Sequence, residues 1–341
     1  GRSSRYLWSH MTAPITIRPY QPKDLESLLQ GHNQIFPKRS LEHWQWKFGD
    51  NPTGQIHTMV AAHEQEGIVG AYVTLPAHAS IEGQRRIIGQ CVDLWVLPQH
   101  RRFGPRPGLF VNLALAHYDQ WGGKGEDKNS FHHVWPIATW RIGQKYLKYE
   151  IVRDWDFLFR EMHPGGFPER ATSDDLEVRK VERFDADVNG LWDRFAPETQ
   201  LAVIRDQAYL NWRYADALDA SYELYECRER SSNSLRGITV IAKRDFVVPN
   251  TCFLVEWLAP RDDVDTTTAL VAIAEKRATE LGANALATLF QHRDPRFLEF
   301  QKLGFLVYGT IYFQVVIPFD KHDTHFYKEQ WYHTLGDSDL I

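Results

Sequence analysis

The stretch Cys91 to Leu97 is apolar except for Asp93. A carboxylate in such a strand costs free energy unless it is paired or does chemistry. It therefore reads either as a general base or as a buried acid paired to a nearby Arg or His. Just beyond it runs Gln99-His100-Arg101-Arg102-Phe103-Gly104-Pro105-Arg106-Pro107-Gly108, a basic loop leading into a predicted helix near 107–121. Free backbone N–H groups at a helix N-terminus suit a pyrophosphate, as do guanidinium groups. Gly104 and Gly108 let the chain turn tightly and approach such a ligand. Arg106 either blocks that approach or binds phosphate itself. A plain basic strand-to-helix loop is the alternative.

Other candidates carry less. His100, His132 and His133 invite a metal reading but lack a recognised ligand spacing, so core or surface roles are expected and no metal is predicted. Trp44, Trp46, Trp135 and Trp140 fit a core better than a ligand cleft. No Walker loop, G-x-G-x-x-G, G-x-S-x-G or HExxH sequence occurs, which removes the commonest nucleotide, dinucleotide, serine-hydrolase and zinc-protease readings.

The elements that must hold these residues come twice. Trp46-Lys47-Phe48 has a partner in Trp212-Arg213-Tyr214, and Val92-Asp93-Leu94 in Val255-Glu256-Trp257. Gly67–Tyr72 pairs with Leu235–Val240, and Lys145–Tyr149 with Gln301–Phe305. An acid at both Asp93 and Glu256 also fits a structural role. The second copy of the loop, Pro260-Arg261-Asp262-Asp263-Val264-Asp265, has three aspartates and no glycine and would repel a pyrophosphate, with Asp265 suited to a helix N-cap. The linker His163-Pro164-Gly165-Gly166-Phe167-Pro168 marks a boundary. The expected organisation is a leader over 1–11, domain one over 12–163, a linker over 164–173, domain two over 174–320 and a docked tail over 321–341. Hairpin strands followed by strand–helix–strand units predict an α/β (α+β) fold, each domain a mixed, mostly antiparallel sheet flanked by helices.

This order of elements, with Ile17–Asp24, Val92–Gly104 and Phe297–Phe305, resembles the GNAT acyltransferase superfamily over nearly all of both halves. The resemblance implies transfer of an acyl group from acetyl-CoA or a related acyl-CoA to an amine, a small molecule or peptide. It implies a coenzyme A site at Leu94, Trp95, Val96, Arg101, Arg102, Phe103, Gly104, Arg106 and Gly108, with Asp93 as base. The family's late-helix tyrosine is replaced by Gln144 in the first half and Phe300 in the second, so Tyr146 is the substitute acid. A non-catalytic tandem GNAT-like binding protein is the alternative. A third reading is an acyltransferase with another donor, such as acyl carrier protein or aminoacyl-tRNA.

Bulk properties bound these readings. The 341 residues are 43% apolar and 24% charged, with formal net charge -5, which suits a globular protein and gives no general attraction to nucleic acid. Three scattered cysteines argue for a reducing compartment. No apolar run approaches the ~20 residues of a membrane helix. With no export signal, the cytoplasm is the expected location.

Overall fold

The computed structural model describes residues 15–102, 107–135 and 140–341. The chain forms two compact units. The first comprises residues up to Ala77, Arg86–Val152 and Gln314–Asp323; the second comprises His78–Arg85, Arg153–Phe313 and Thr324–Ile341.

In the first unit, β1 (Ile15–Pro19) pairs antiparallel with β2 (His57–His63), which pairs antiparallel with β3 (Gly67–Ile81). Next to β3 lies β4 (Gln84–Val96), then β5 (Asn129–Val134) and the C-terminal half of β13 (Leu306–Pro318). Between β1 and β2 come α1 (Leu25–Ile35) and α2 (Leu41–Trp44). Asp24 ends the turn before α1, where its carboxylate accepts from the Gln21 N–H at 2.8 Å and from Arg18 at 2.6 Å. Ser40 caps α2 through the His43 N–H at 3.0 Å. That helix then widens into one π-helical turn, Gln45–Gly49, which carries Trp46, Lys47 and Phe48 inward. The long helix α3 (Leu109–Trp121) packs on β2 and buries Val111, Leu113, Ala114 and His117. After β5 come α4 (Trp140–Tyr146) and the first residues of β6 (Glu150–Glu161).

The second unit repeats the sequence of elements. It contains β7 (Leu176–Val181), α5 (Asp187–Phe195), β8 (Leu201–Val203) and α6 (Gln207–Leu210). A π-helical turn follows α6 as it does α2, now Asn211–Ala215, with Trp212 where the first unit has Trp46. Then come β9 (Glu223–Glu229), β10 (Leu235–Phe246), β11 (Val248–Leu258), α7 (Val264–Glu280), β12 (Ala285–Thr288) and α8 (Pro295–Lys302). The sheet order is β13-β6-β12-β11-β10-β9-β7. Lys148 and Gly304, at matching places in the two late blocks, both adopt positive φ, 56° and 100°. One expectation is corrected: α7 starts at Val264, two residues before the expected Thr266, so its cap is Asp263, which accepts from the Thr266 N–H at 3.1 Å, and Asp265 lies inside the helix.

Each unit draws a strand from the far half of the sequence. β6 begins in the first unit and passes its residues from 153 onward to the second, where Leu158–Glu161 pair with β12. β13 begins in the second and passes its residues from 314 onward to the first, where Val315–Pro318 pair with β5. In the second unit, α9 (Thr324–Gln330) leads to a buried tail in which Trp331 and Tyr332 are 0% and 3% exposed. Arg205, wholly buried, donates there to Glu256 at 2.8 Å and to Asp337 at 2.7 Å.

Two measurements probe this packing. A Cβ on Gly31 of α1 would sit 2.2 Å from the Trp95 ring. Gly31→Ala, which in an exposed helix would stabilise by up to ~1 kcal/mol, is therefore expected to cost about 1–3 kcal/mol in urea unfolding. Asp337 is pushed up to about 6 by burial, against the opposing charge of Arg205 and with Glu256 competing for the same guanidinium. A raised folded pKa means stability fully present below the unfolded value of ~3.9 and lost as pH rises through about 6. Asp337→Asn should flatten that part of the stability–pH curve between pH 4 and 7.

Candidate functional site

Where β4 meets β5 the sheet opens. The two strands pair in parallel at Ile87↔Asn129, Gly89↔His132 and Gln90↔His133, and residues 91–96 of β4 run on past the last pair. In that overhang Asp93 has φ 51°, a left-handed conformation that a non-glycine residue rarely adopts. The kink re-aims the strand, and Trp95 packs over Gly31 of α1.

The Asp93 side chain, 13% exposed, forms an ion pair with Arg39 and lies 3.6 Å from His32 Nε2. Burial alone would raise its pKa, but the charges of Lys47 and Arg39 and the His32 ring hold it well below the usual carboxylate range. It therefore stands as a carboxylate of low proton affinity. The cluster borders a small cavity of about 20 Å³ that His32, Arg39, Trp44, Phe48 and Trp95 also line. The pairing of Asp93 to both an Arg and a His matches the structural alternative weighed from the sequence, and it leaves the site's chemistry to the cluster as a whole.

Among the other predicted residues, Leu94 is part-buried, while Trp95 and Val96 are buried at 3% and 4% exposure. Arg101 donates from Nε to the Val96 carbonyl at 3.1 Å, so the loop is tied to the end of β4; Arg101 and Arg102 are exposed. Phe103, Gly104 and Arg106 lie outside the described residues. Gly108 precedes α3 with φ 110°, where glycine is required, and its carbonyl accepts from the Asn112 N–H at 3.2 Å. The N–H groups of the first turn of α3 thus start directly behind the Arg101–Arg102 turn. Tyr146, at the end of α4, is 40% exposed. The structure does not gather it with Asp93.

What the sequence reading missed is a buried hydroxyl and imidazole cluster on the α3 side of the sheet. Tyr72 Oη lies 3.1 Å from Tyr118 Oη and 3.4 Å from Cys91 Sγ, with Tyr149 close by. Burial pushes the Cys91 thiol up to about 12 and these phenols upward. Asn129 joins His57 and His132 at 3.2 and 2.9 Å, and desolvation pushes His57 down to about 4 and His117 to about 3. They come from β2, β3, β4, β5 and α3, one or two residues each, so no local pattern in the sequence announces their meeting. His100 contacts Glu66 at 3.1 Å. Among the described residues no group of three or more His, Cys, Asp or Glu could hold a metal ion, and no helix is long and apolar enough to cross a membrane.

The second unit has the same opening, filled from within. β11 pairs with β12 only through Thr251–Phe253 and runs on to Leu258, with a register shift opposite Glu256. Into this place goes the tail: Thr334 Oγ1 lies 3.2 Å from Glu256, Tyr332 donates to the Trp257 carbonyl, and a Cβ on Gly336 would meet the Val255 carbonyl at 3.2 Å. Tyr214 and Arg205 complete the ligation of Glu256 at 2.9 and 2.8 Å. Glu256 is thus a fully coordinated structural anion, and the first unit carries the candidate site.

No family model and no curated protein matches the chain. Solved structures do. A probable N-acyltransferase of Enterococcus faecalis, a conserved protein of unknown function, aligns with TM-score 0.64 at 13% identity, over 92% of this chain and 75% of that one. Saccharomyces cerevisiae N-myristoyltransferase with bound myristoyl-CoA aligns with TM-score 0.58 at 12% identity, over 93% and 81%. A GCN5-related N-acetyltransferase from Anabaena variabilis gives 0.61 at 13%, over 89% and 72%. At such identities the likeness is one of fold, and the chain has the fold of the GNAT superfamily.

Proposed function

We propose that the first unit transfers an acyl group from a coenzyme A thioester to an amine. The observation that carries this is the overhang of β4. Its residues 91–96 leave their parallel partner, kink at a buried anion, and end in a basic turn that leads into α3. A thioester arm lying along Leu94, Trp95 and Val96 meets strand backbone, which supplies donors for the carbonyl oxygen. Its pyrophosphate meets Arg101, Arg102 and the N–H groups of α3 behind Gly108; Phe103, Gly104 and Arg106 are proposed as further donor-site residues on the sequence motif alone. The yeast N-myristoyltransferase structure holds myristoyl-CoA, which supports an acyl-CoA as the donor here.

On the other face of the kink, the Asp93 cluster receives the amine. An ammonium is drawn to the carboxylate and must lose a proton before it attacks. The leaving thiolate, of pKa ~8.5 once protonated, departs readily, and Tyr146 is assigned the return of its proton. The acceptor is an amine of a small molecule or peptide, and the cytoplasm is the proposed place of action.

Coenzyme A binding tests the donor site. Binding to the native state raises stability by ~2.7 kcal/mol at a hundredfold excess over Kd. The thermal shift should vanish in Gly108→Leu and persist in Val264→Trp, at the first position of α7, where Val264 is 68% exposed. A shift that survives Gly108→Leu would place the donor elsewhere.

Asp93→Asn tests the acceptor side. Shape is kept and charge is lost, so kcat should fall by roughly 10²–10⁴-fold with little change in donor KM. Because Arg39 loses its partner, stability falls as well, and turnover per folded molecule is the deciding quantity. Normal turnover in the variant would leave Asp93 as a strut for the strand.

A further inference from the structure

The tail of the second unit is held by two cations that have counterparts in the first. Arg205 precedes Asp206, the cap of α6, and donates from Nη2 to Thr334 Oγ1 at 3.1 Å and to Asp337 Oδ2 at 2.7 Å. Arg213, on the π-helical turn, donates to the main-chain oxygens of Gly336, Ser338 and Ile341 at 3.2, 3.0 and 2.8 Å. The segment so held makes one tight turn. In it the Asp337 carboxylate accepts from the Thr334 N–H at 2.9 Å, and the Thr334 hydroxyl donates to Glu256 at 3.2 Å. It lies along Val255–Trp257, where β11 has run on past its last pair with β12, Phe253↔Ala287.

Arg39 and Lys47 stand at the matching places in the first unit. Arg39 precedes Ser40, the cap of α2, and pairs with Asp93 as Arg205 pairs with Glu256. Lys47 is carried inward on the π-helical turn as Arg213 is. β4 likewise runs on past its last pair with β5, but the tail goes to the second unit. Beneath the tail, Arg205 and Glu256 are 0% exposed, whereas the Arg39 and Asp93 side chains are 10% and 13% exposed. Bonding capacity is left as well. Arg39 reaches Asp93 through Nη1 and, at 3.4 Å, through Nη2, and its Nε has no hydrogen-bond partner among the described residues. Phe48 stands where Tyr214 does and lacks the hydroxyl that Tyr214 donates to Glu256 at 2.9 Å. Around Asp93 that leaves Arg39, His32 at 3.6 Å and the charge of Lys47, fewer than the about four bonds a carboxylate accepts.

We infer that the acceptor is a peptide seated in the first unit as the tail is seated in the second. This rests on the acyl-transfer reading above and names its substrate class. The N-terminal residue of the peptide takes the place of Thr334, with its amine at Asp93. A carboxylate three residues further on takes the place of Asp337 and meets Arg39. Turned as Arg205 is, Arg39 gives Nε to Asp93 and its Nη groups to the peptide, a fork that suits a carboxylate. An α-ammonium has three N–H groups, one for the carboxylate of its own turn, as the Thr334 N–H has, and the others for Asp93. In the transfer, the nitrogen forms its bond to the thioester carbonyl carbon and the C–S bond breaks with its electron pair on sulfur. The ammonium loses two protons, one taken up by the thiolate and one released to solvent.

The probe is the free peptide of residues 334–341, Thr-Leu-Gly-Asp-Ser-Asp-Leu-Ile, titrated calorimetrically into the full chain. It should bind with Kd below about 1 mM, and Asn at its fourth position should weaken binding by about tenfold or more. Arg39→Lys keeps a cation at Asp93 but loses the fork, and should weaken the unaltered peptide as much, with cooperative urea unfolding as the check on its fold. Phe48→Tyr, which offers Asp93 the hydroxyl that Glu256 already has, should weaken it too. Absence of binding overturns the inference. Binding that both variants leave unchanged means that the peptide has displaced the tail in the second unit, and overturns it equally. With acetyl-CoA and longer acyl-CoA donors, the peptide should gain one acyl group at its N-terminus by mass spectrometry, and its N-acetylated form none. A chain that acylates small amines but not this peptide overturns the inference and leaves the transfer reading intact. A chain that binds the peptide as described but acylates no amine sinks the transfer reading and keeps the peptide seat.

Discussion

The first unit is organised around one buried negative charge at a bend in a strand. Asp93 sits where β4 has left its parallel partner and taken a left-handed step. An unpaired carboxylate there would cost several kcal/mol. Arg39 therefore folds back over it, His32 turns its ring toward it, and Lys47 points inward from the π-helical turn. The loop between α1 and α2 is ordered by the same demand, since Asn33 clamps the Arg39 backbone that presents the guanidinium. Trp95 can reach α1 only because residue 31 is glycine. The charge, the kink, the helix pair and the small cavity are thus one arrangement.

The second unit meets the same constraint differently. Glu256 stands in the corresponding strand, but its charge is ligated by Arg205, Tyr214 and Thr334, with Asp337 sharing the guanidinium. These partners are all buried, and the tail that brings Thr334 and Asp337 occupies the opening past β12. A site needs an anion with unused bonding capacity near a space. Here the capacity is consumed and the space is filled by the protein itself. The acidic turn before α7 agrees, because Asp263 uses a first-turn N–H that would otherwise face a ligand.

Strand exchange gives each unit its completeness. β6 and β13 each start in one unit and finish in the other. Neither half of the sequence encodes all the strands of its own unit, so folding requires contacts between residues far apart in the chain, such as Val315 with Val134 and Leu158 with Thr288. Such long-range pairing is slow to form, because the chain loses loop entropy before the contacts are made.

The sequence by itself determined the repeated order of elements, the α/β character, the apolar strand with its lone acid and the basic loop beyond it. These follow from local pattern: alternation, turn residues, and a charge out of place among Cys91, Val92 and Leu94. It also determined the asymmetry between the two loops, since glycine and arginine against three aspartates is a difference in composition. Tertiary structure decided the rest. The pairing of Asp93 with Arg39 joins residues far apart in the chain, and nothing in their neighbours announces it. The fate of Glu256 depends on a tail from the other end of the sequence, and the strand exchange leaves no local mark, because β6 and β13 look like any strands until their partners are known. Periodicity and composition record what each segment prefers; which distant segment satisfies a buried charge or an open strand edge is settled only when the chain is packed.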